Sequence, residues 1–180
     1  SIFTAASMIT TTGFATVDFG NWPQSLIFAM LCLVLLGGCA GSTAGGFKAV
    51  RVLILLKLSY RELKRLLSPQ AVMPVKLNHQ VIPLPVQQAV WGMIALYFLS
   101  YLFTAWALQV IGLPMLEALS AAGATLTSFG PGFGDLGPSH TYAWLPSEAK
   151  ALLSGVMVIG RLEIFTVFVL FTPAFLSLIH

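Results

Sequence analysis

Charge is what this sequence has least of: 8% of its 180 residues are Asp, Glu, Lys or Arg, against about 25% in an ordinary soluble domain. A soluble fold needs a wet exterior. With 57% hydrophobic residues and a mean hydropathy of +0.89, too little polar surface remains to build one. The composition excludes the soluble class and points to a membrane protein. Catalytic dyads and metal-ligand spacings are also missing, which argues against an enzyme. His79, His140 and His180 are isolated and carry no chemistry. The two cysteines, Cys32 and Cys39, lie in or beside an apolar helix; they read as buried thiols rather than a disulfide pair. There is no initiating Met and no basic leader at Ser1, so the sequence reads as an excerpt of a longer chain.

The charge that is present is unevenly placed. Seven of the nine basic residues fall between Lys48 and Lys76 (Lys48, Arg51, Lys57, Arg61, Lys64, Arg65 and Lys76). A net charge of +3 could suggest nucleic acid, but this clustering is the signature of a cytoplasmic loop under the positive-inside rule. The same run can bind anionic lipid or a regulatory partner.

Apolar segments set the organisation. Leu26 to Leu36 is an unbroken apolar run, too short to cross a bilayer, which needs about 20 residues. It runs into Gly37-Gly38-Cys39-Ala40-Gly41-Ser42-Thr43-Ala44-Gly45-Gly46, and helix-favouring sequence resumes from Phe47 to Leu67. This predicts one membrane helix broken by a small-residue loop, a form tolerated at membrane depth only where protein or water surrounds it. A packing face of small residues is the plainer alternative, but five glycines exceed what packing needs. A phosphate-binding loop is excluded, since the spacing and the preceding strand are both missing. Ser68 to Pro85, rich in proline, reads as a cytoplasmic linker. Val86 to Ile111 has no charge and is long enough to span, with Trp91, Tyr97, Tyr101 and Trp106 as interface anchors. Met115 to Thr127 predicts a half-helix, Ser128 to Pro138 a Gly/Pro-rich loop, and residues 139–147 an outside segment. Ala149 to Ile179 predicts a last span, with Arg161 and Glu163 near its middle. An ionisable residue there is functional by default, unless it snorkels to the interface.

One pattern occurs twice. Ala5-Ala6-Ser7-Met8-Ile9-Thr10-Thr11-Thr12-Gly13-Phe14 is matched by Ala122-Gly123-Ala124-Thr125-Leu126-Thr127-Ser128-Phe129-Gly130-Pro131. Each places small residues on a short helix ending in Thr-x-x-Gly. Each continues through Asp-x-Gly (Asp18-Phe19-Gly20 and Asp135-Leu136-Gly137) into a long apolar helix. Such a half-helix aims the negative end of its dipole at a cation. A Thr/Gly-rich segment can then offer backbone carbonyls in place of the ion's water, which suits a weakly hydrated ion such as K⁺. Gly13 as an ordinary turn glycine is the bland reading, and the repetition weighs against it.

Together these motifs, with Gly160-Arg161-Leu162-Glu163, resemble the third and fourth pore repeats of the TrkH/KtrB potassium transporters, over essentially the whole chain. The resemblance implies an all-α integral membrane protein of repeated M1–P-loop–M2 units with re-entrant half-helices. The first unit would be residues 1–67, the linker 68–85 and the second unit 86–180. It implies K⁺ ions held at filter segments Thr11, Thr12, Gly13, Phe14 and Ser128, Phe129, Gly130, Pro131. It further implies a gate formed by Gly37, Gly38, Gly41, Ser42, Thr43, Gly45 and Gly46, with Arg161 facing it, and no organic cofactor. The expected partners are the lipid bilayer, a second copy in a homodimer, a cytosolic nucleotide-binding TrkA-type ring and the remaining two pore repeats. The expected location is the bacterial inner membrane, multi-pass. Two of four repeats cannot close a four-sided filter, and three glycines between Gly130 and Gly134 leave the register of the second segment open. The rival reading is a cation-coupled secondary transporter with a broken-helix substrate site. Inverted repeats would be expected there, whereas these two copies run the same way.

Overall fold

The computed structural model describes residues 2–19, 22–39, 41–42, 45–68, 73–77, 80–162 and 164–170, without the side chains of Gln24, Phe168 and Leu170. Gly20, Ala40, Thr43, Ala44, His79, Glu163 and residues 171–180 lie outside that set. Among the described residues seven α-helices run in chain order: α1 (Ile2–Ile9), α2 (Gln24–Leu36), α3 (Ala49–Leu67), α4 (Leu84–Ile111), α5 (Met115–Leu126), α6 (Ser147–Arg161) and α7 (Ile164–Leu170).

Among the described residues, α4 is the one helix long and apolar enough to cross a membrane by itself, with 28 residues. At about 1.5 Å per residue its length exceeds a hydrocarbon core of about 30 Å, enough to cross with tilt. Prolines 83 and 85 set its start, where missing N–H groups do no harm. Its end is a Schellman closure: the N–H groups of Gly112 and Leu113 donate back to Gln109 and Leu108, with Gly112 at φ 109°.

The centre of the structure is α5. Most of its length is buried, including Ala118, Ala121 and Ala122 at no exposure. Small side chains let α4 and α6 approach its backbone closely, which is how helices associate where lipid removes the usual hydrophobic drive. A second cluster joins Met8 of α1, Met30 and Val34 of α2, and Phe19, Phe129 and Phe133 from loops. Within it the Phe19 and Phe133 rings meet edge to face at 5.7 Å, a contact worth about 1 kcal/mol beyond its buried area. A third cluster, around Ile54, Leu58, Val75, Ile82 and Val90, seats α3 on α4.

Several expectations are corrected. Tyr97 and Tyr101 are buried against α5 and the loop after α2, not at an interface, because they lie in the middle of α4 and face inward; Trp91 and Trp106 are exposed. Cys32 and Cys39 are exposed free thiols, since α2 turns Cys32 away from its packed face and Cys39 sits on a loop. The last span starts at Ser147 and is interrupted after Arg161, where Leu162 bends the chain. Gly160 in that last turn lies on the carbonyl end of α5, a common setting for a kink. The proline-rich linker contains a two-rung antiparallel ladder, Lys76↔Val81 and Leu77↔Gln80.

Overfilling the small-residue seam tests this packing. Ala121→Leu in the full-length parent is expected to cost about 1–3 kcal/mol and lower the thermal midpoint in detergent, while Val110→Leu on the exposed face leaves it unchanged. Equal midpoints for both would show that α5 is not the packed centre.

Candidate functional site

Helices α1 and α5 both stop short, and they stop in the same way. After α1, Thr10, Thr11 and Thr12 donate their N–H groups to the carbonyls of Ala6, Met8 and Ser7. After α5, Thr127, Ser128 and Phe129 donate to Gly123, Thr125 and Ala124, at the corresponding positions. The side chains follow suit: Thr10 Oγ1 donates to the Ala6 carbonyl and Thr127 Oγ1 to that of Gly123, each at 2.7 Å. Both closures are Schellman motifs. In both, a non-glycine residue takes the left-handed position, Thr11 at φ 52° and Ser128 at φ 55°. Two residues on, Gly13 and Gly130 again have positive φ, at 83° and 99°. Gly134 also has positive φ, at 68°, but Gly130 is the glycine that stands two residues after the left-handed Ser128, as Gly13 stands after Thr11.

The two segments touch. A Cβ on Gly13 would collide with the Phe129 carbonyl oxygen and approach Pro131 at 3.2 Å, so only glycine allows this contact. Beyond them the loops are tied together: Ser139 Oγ donates to the Asp18 carboxylate, and Phe19 packs on Phe133. Each segment also has its own brace. Ser7 Oγ donates to the Phe14 carbonyl at 2.7 Å, and Tyr142 Oη donates to the Gly130 carbonyl at 2.9 Å. Burial pushes the Tyr142 hydroxyl up to about 12, so it remains a donor throughout the neutral range. Ser7 and Tyr142 were not legible as site residues. Tyr142 sits in the segment expected to lie outside, and no local pattern announces its reach.

The loop between α2 and α3 lies against Thr11 of the first segment and Thr127, the residue before the second. Its neck is closed by Phe47 donating to the Leu35 carbonyl and Ala49 to that of Gly38, each at 3.0 Å. Gly45 donates its N–H to Thr11 Oγ1 at 3.2 Å and packs so closely on the Thr127 carbonyl that a side chain would overlap it. Ser42 turns back on the Cys39 carbonyl. At the exit, the Phe47 and Tyr97 rings meet at 4.4 Å, fixing the loop to α4. Gly37 and Gly46 are buried in the neck and Gly41 is exposed; Thr43 lies outside the described residues.

Arg161 shares a cavity of about 100 Å³ with Ser42, Gly45 and Gly46 of this loop. Lys48 and Arg51 line the same cavity. In the sequence the two belong to the basic run that reads as a topology signal and a contact for lipid or a partner, and their place beside the loop depends on the chain folding back. The structure thus brings together the segments Thr11–Phe14 and Ser128–Pro131, the loop and Arg161. Among the described residues no group of three His, Cys, Asp or Glu could hold a metal ion. What the arrangement offers a ligand is backbone carbonyl oxygen at the negative ends of two helices, with cationic side chains in the cavity beside the loop.

The Thr11 tether predicts a separable effect. Thr11→Gly relieves left-handed strain of about 1–2 kcal/mol but removes the acceptor for Gly45. In a Cys32→Ser background, maleimide labelling of Cys39 is expected to accelerate in Thr11→Gly and to keep its original rate in Thr11→Ser. Unchanged labelling in Thr11→Gly would show that the hydrogen bond does not hold the loop.

Comparison with known proteins identifies the family. The family described as TrkH, cation transport protein, matches residues 1–176. The Trk system potassium uptake protein TrkH of Halomonas elongata is 43% identical over 97% of this chain. The TrkH of Escherichia coli is 41% identical over the same share, and its TrkG is 37% identical. The chain spans 36% of the length of these relatives. The crystal structure of the potassium transporter TrkH from Vibrio parahaemolyticus superposes with a TM-score of 0.89 at 41% identity, covering 97% of this chain and 37% of that one. These relatives are potassium transporters rather than enzymes, and the chain belongs to the TrkH family of cation transport proteins.

Proposed function

We propose that this chain supplies two of the four sides of a potassium-selective pore in the bacterial inner membrane. Its filter segments are Thr11–Phe14 and Ser128–Pro131, and its gate is the loop Gly37–Gly46 with Arg161. The observation that carries the reading is the pair of matched helix stops. Two short helices present their carbonyl ends at equivalent Thr/Ser-x-Gly segments that pack against each other across Gly13 and Phe129. K⁺ would be held at Thr11, Thr12, Gly13, Ser128, Phe129 and Gly130 by backbone oxygen, without carboxylates, as suits an ion that sheds its water easily. It is the transported ion, not a resident cofactor. The remaining two repeats of the parent would close the ring, and a second copy and a cytosolic nucleotide-binding ring would complete the assembly.

In this reading the loop lies on the path of an ion leaving the segments, and its contacts with Thr11 and Thr127 make it part of their support. Conduction would require it to move. The basic helix α3 leaves the loop's neck directly, so force applied at its cytoplasmic end would reach the loop along a rigid rod.

Flux into liposomes holding the full-length parent tests both parts. Wild type is expected to admit K⁺ and Rb⁺ well above Na⁺. Gly13→Ser, which adds a side chain at a positive φ and into the Phe129 carbonyl, is expected to lower the K⁺/Na⁺ ratio by about tenfold, equivalent to about 1.4 kcal/mol. Gly130→Ser, with no atom near its added Cβ among the described residues, is expected to lower it less. Unchanged selectivity in both variants, or wild-type uptake that requires a co-substrate gradient, would replace the pore with a coupled transporter.

Shortening the loop between Gly38 and Gly45 is expected to raise K⁺ flux several-fold at equal protein incorporation. Unaltered flux would remove its role as a gate.

A further inference from the structure

A groove runs along α3 from the neck of the loop to the linker, and its chemistry changes along its length. Near the loop it is a cavity of about 310 Å³ walled by Ile9, Leu33, Leu36, Val52, Leu53 and Leu56, with Gly37 at its edge. Leu53 and Leu56 also wall a second cavity, of about 420 Å³, so the two adjoin at these side chains. The second adds Lys57, Tyr60, Arg61 and Lys64 from α3 and Lys76 from the linker. The surface is therefore an apolar trough that ends in cations. Leu56 and Tyr60 within it are 65% and 66% exposed.

Depth matches this change. α3 begins at Ala49, directly after a loop that lies against the ends of two half-helices. At about 1.5 Å per residue, Lys57 stands about 12 Å and Lys64 about 22 Å along the axis from Ala49. Half of a bilayer's hydrocarbon core is about 15 Å. If the loop lies near the midplane, these lysines bracket the level of the phospholipid phosphates, and Leu53 and Leu56 lie at the level of the acyl chains.

The local charges leave capacity for an anion. Glu62 is the acid on α3, and it pairs with Arg61 at 2.8 Å. Arg61 also donates to Gln87 at 2.8 Å. Lys57 gives one hydrogen to the Lys76 carbonyl at 2.8 Å, and an ammonium group has three. Lys57, Lys64 and Lys76 are all exposed.

We propose that this groove binds an anionic phospholipid, with the headgroup phosphate among Lys57, Lys64 and Lys76 and an acyl chain along Leu53 and Leu56 toward Gly37. A soluble anionic partner would satisfy the lysines but could not follow the apolar arm into the membrane. A zwitterionic lipid would fill the arm without using the cations. Because the arm ends at Gly37, the bound chain abuts the neck where the loop joins α2, so occupancy bears on the loop's freedom. The proposal rests on membrane placement and not on ion selectivity.

The test uses the full-length parent, delipidated in detergent, with phosphatidylglycerol and phosphatidylcholine titrated separately by native mass spectrometry. Phosphatidylglycerol is expected to bind more tightly by at least tenfold. Each lysine removed is expected to weaken it by about fivefold, as a surface cation contributes to anionic-lipid attraction. The combined variant Lys57→Gln, Lys64→Gln, Lys76→Gln should erase the preference, while Lys150→Gln, far along the chain on α6, leaves it intact. Where the combined variant fails to fold, Lys64→Gln alone gives the same reading at its smaller step. A photoreactive acyl chain on phosphatidylglycerol should label the stretch from Leu53 to Tyr60. Equal binding of both lipids, an unchanged preference in the lysine variants, or label that falls elsewhere would overturn the proposal. So would a cross-linker at position 56 (Leu56→Cys) that captures another helix of the protein in place of lipid.

Discussion

The constraint on which the rest of the structure depends is the need to stop two helices short in a setting with little water. An unsatisfied backbone group costs several kcal/mol where no water can reach it. The chain closes α1 and α5 with the same turn that closes α4, but with different residues. α4 ends at Gly112, the residue that takes a left-handed φ without strain. α1 and α5 end at Thr11 and Ser128, which take it at a cost of about 1–2 kcal/mol each. Strain of this kind persists only where the surroundings over-determine it. For Thr11 the reason is visible, because its hydroxyl receives the Gly45 N–H. Glycine would close the helix more cheaply and release the loop. The Ser128 side chain has no such explanation among the described contacts.

From those stops the other features follow in order. With the helix ends fixed, Gly13 can lie on the Phe129 carbonyl, and the two segments become one surface. With that surface set, the loop can touch Thr11 and Thr127 at once through Gly45, and its closed neck returns the chain to α3. The aromatic pairs then lock the periphery: Phe19 on Phe133 outside the segments, and Phe47 on Tyr97 at the loop's exit.

Much of this was legible in the sequence because it rests on local rules. Thr-x-x-Gly after a short small-residue helix gave both helix stops. The glycine run after Leu36 gave the break in the second helix. Low charge gave the membrane class. What was not legible depends on side chains meeting across the fold. Tyr97 and Tyr101 resemble interface anchors by type, and only the packing of α4 on α5 turns them inward. Tyr142 looks like surface until its hydroxyl is seen on Gly130. Arg161 was singled out as a lone cation in an apolar helix, but Lys48 and Arg51 hid within a run whose plainest meaning is topology. The kink at Leu162 was missed because hydropathy continues through it and only the contact of Gly160 with the end of α5 marks it.

That last contact bears on how the proposed pore would hold itself closed. The ends of α1 and α5 carry negative partial charge, which favours a cation beside them. Arg161, Lys48 and Arg51 line a cavity with Ser42, Gly45 and Gly46 of the loop, and in the proposed pore the Arg161 charge would disfavour a cation there. Gly160 places Arg161 one residue beyond the backbone contact with α5, so α6 cannot shift without moving the cation relative to the segment it opposes. A movement that opened the loop while leaving these side chains in place would clear the steric barrier but keep the electrostatic one. Lys48, the cap of α3, and Arg51 on that helix line the same cavity as Arg161 of α6, so in the proposed pore a shift of either helix would be felt by the other there.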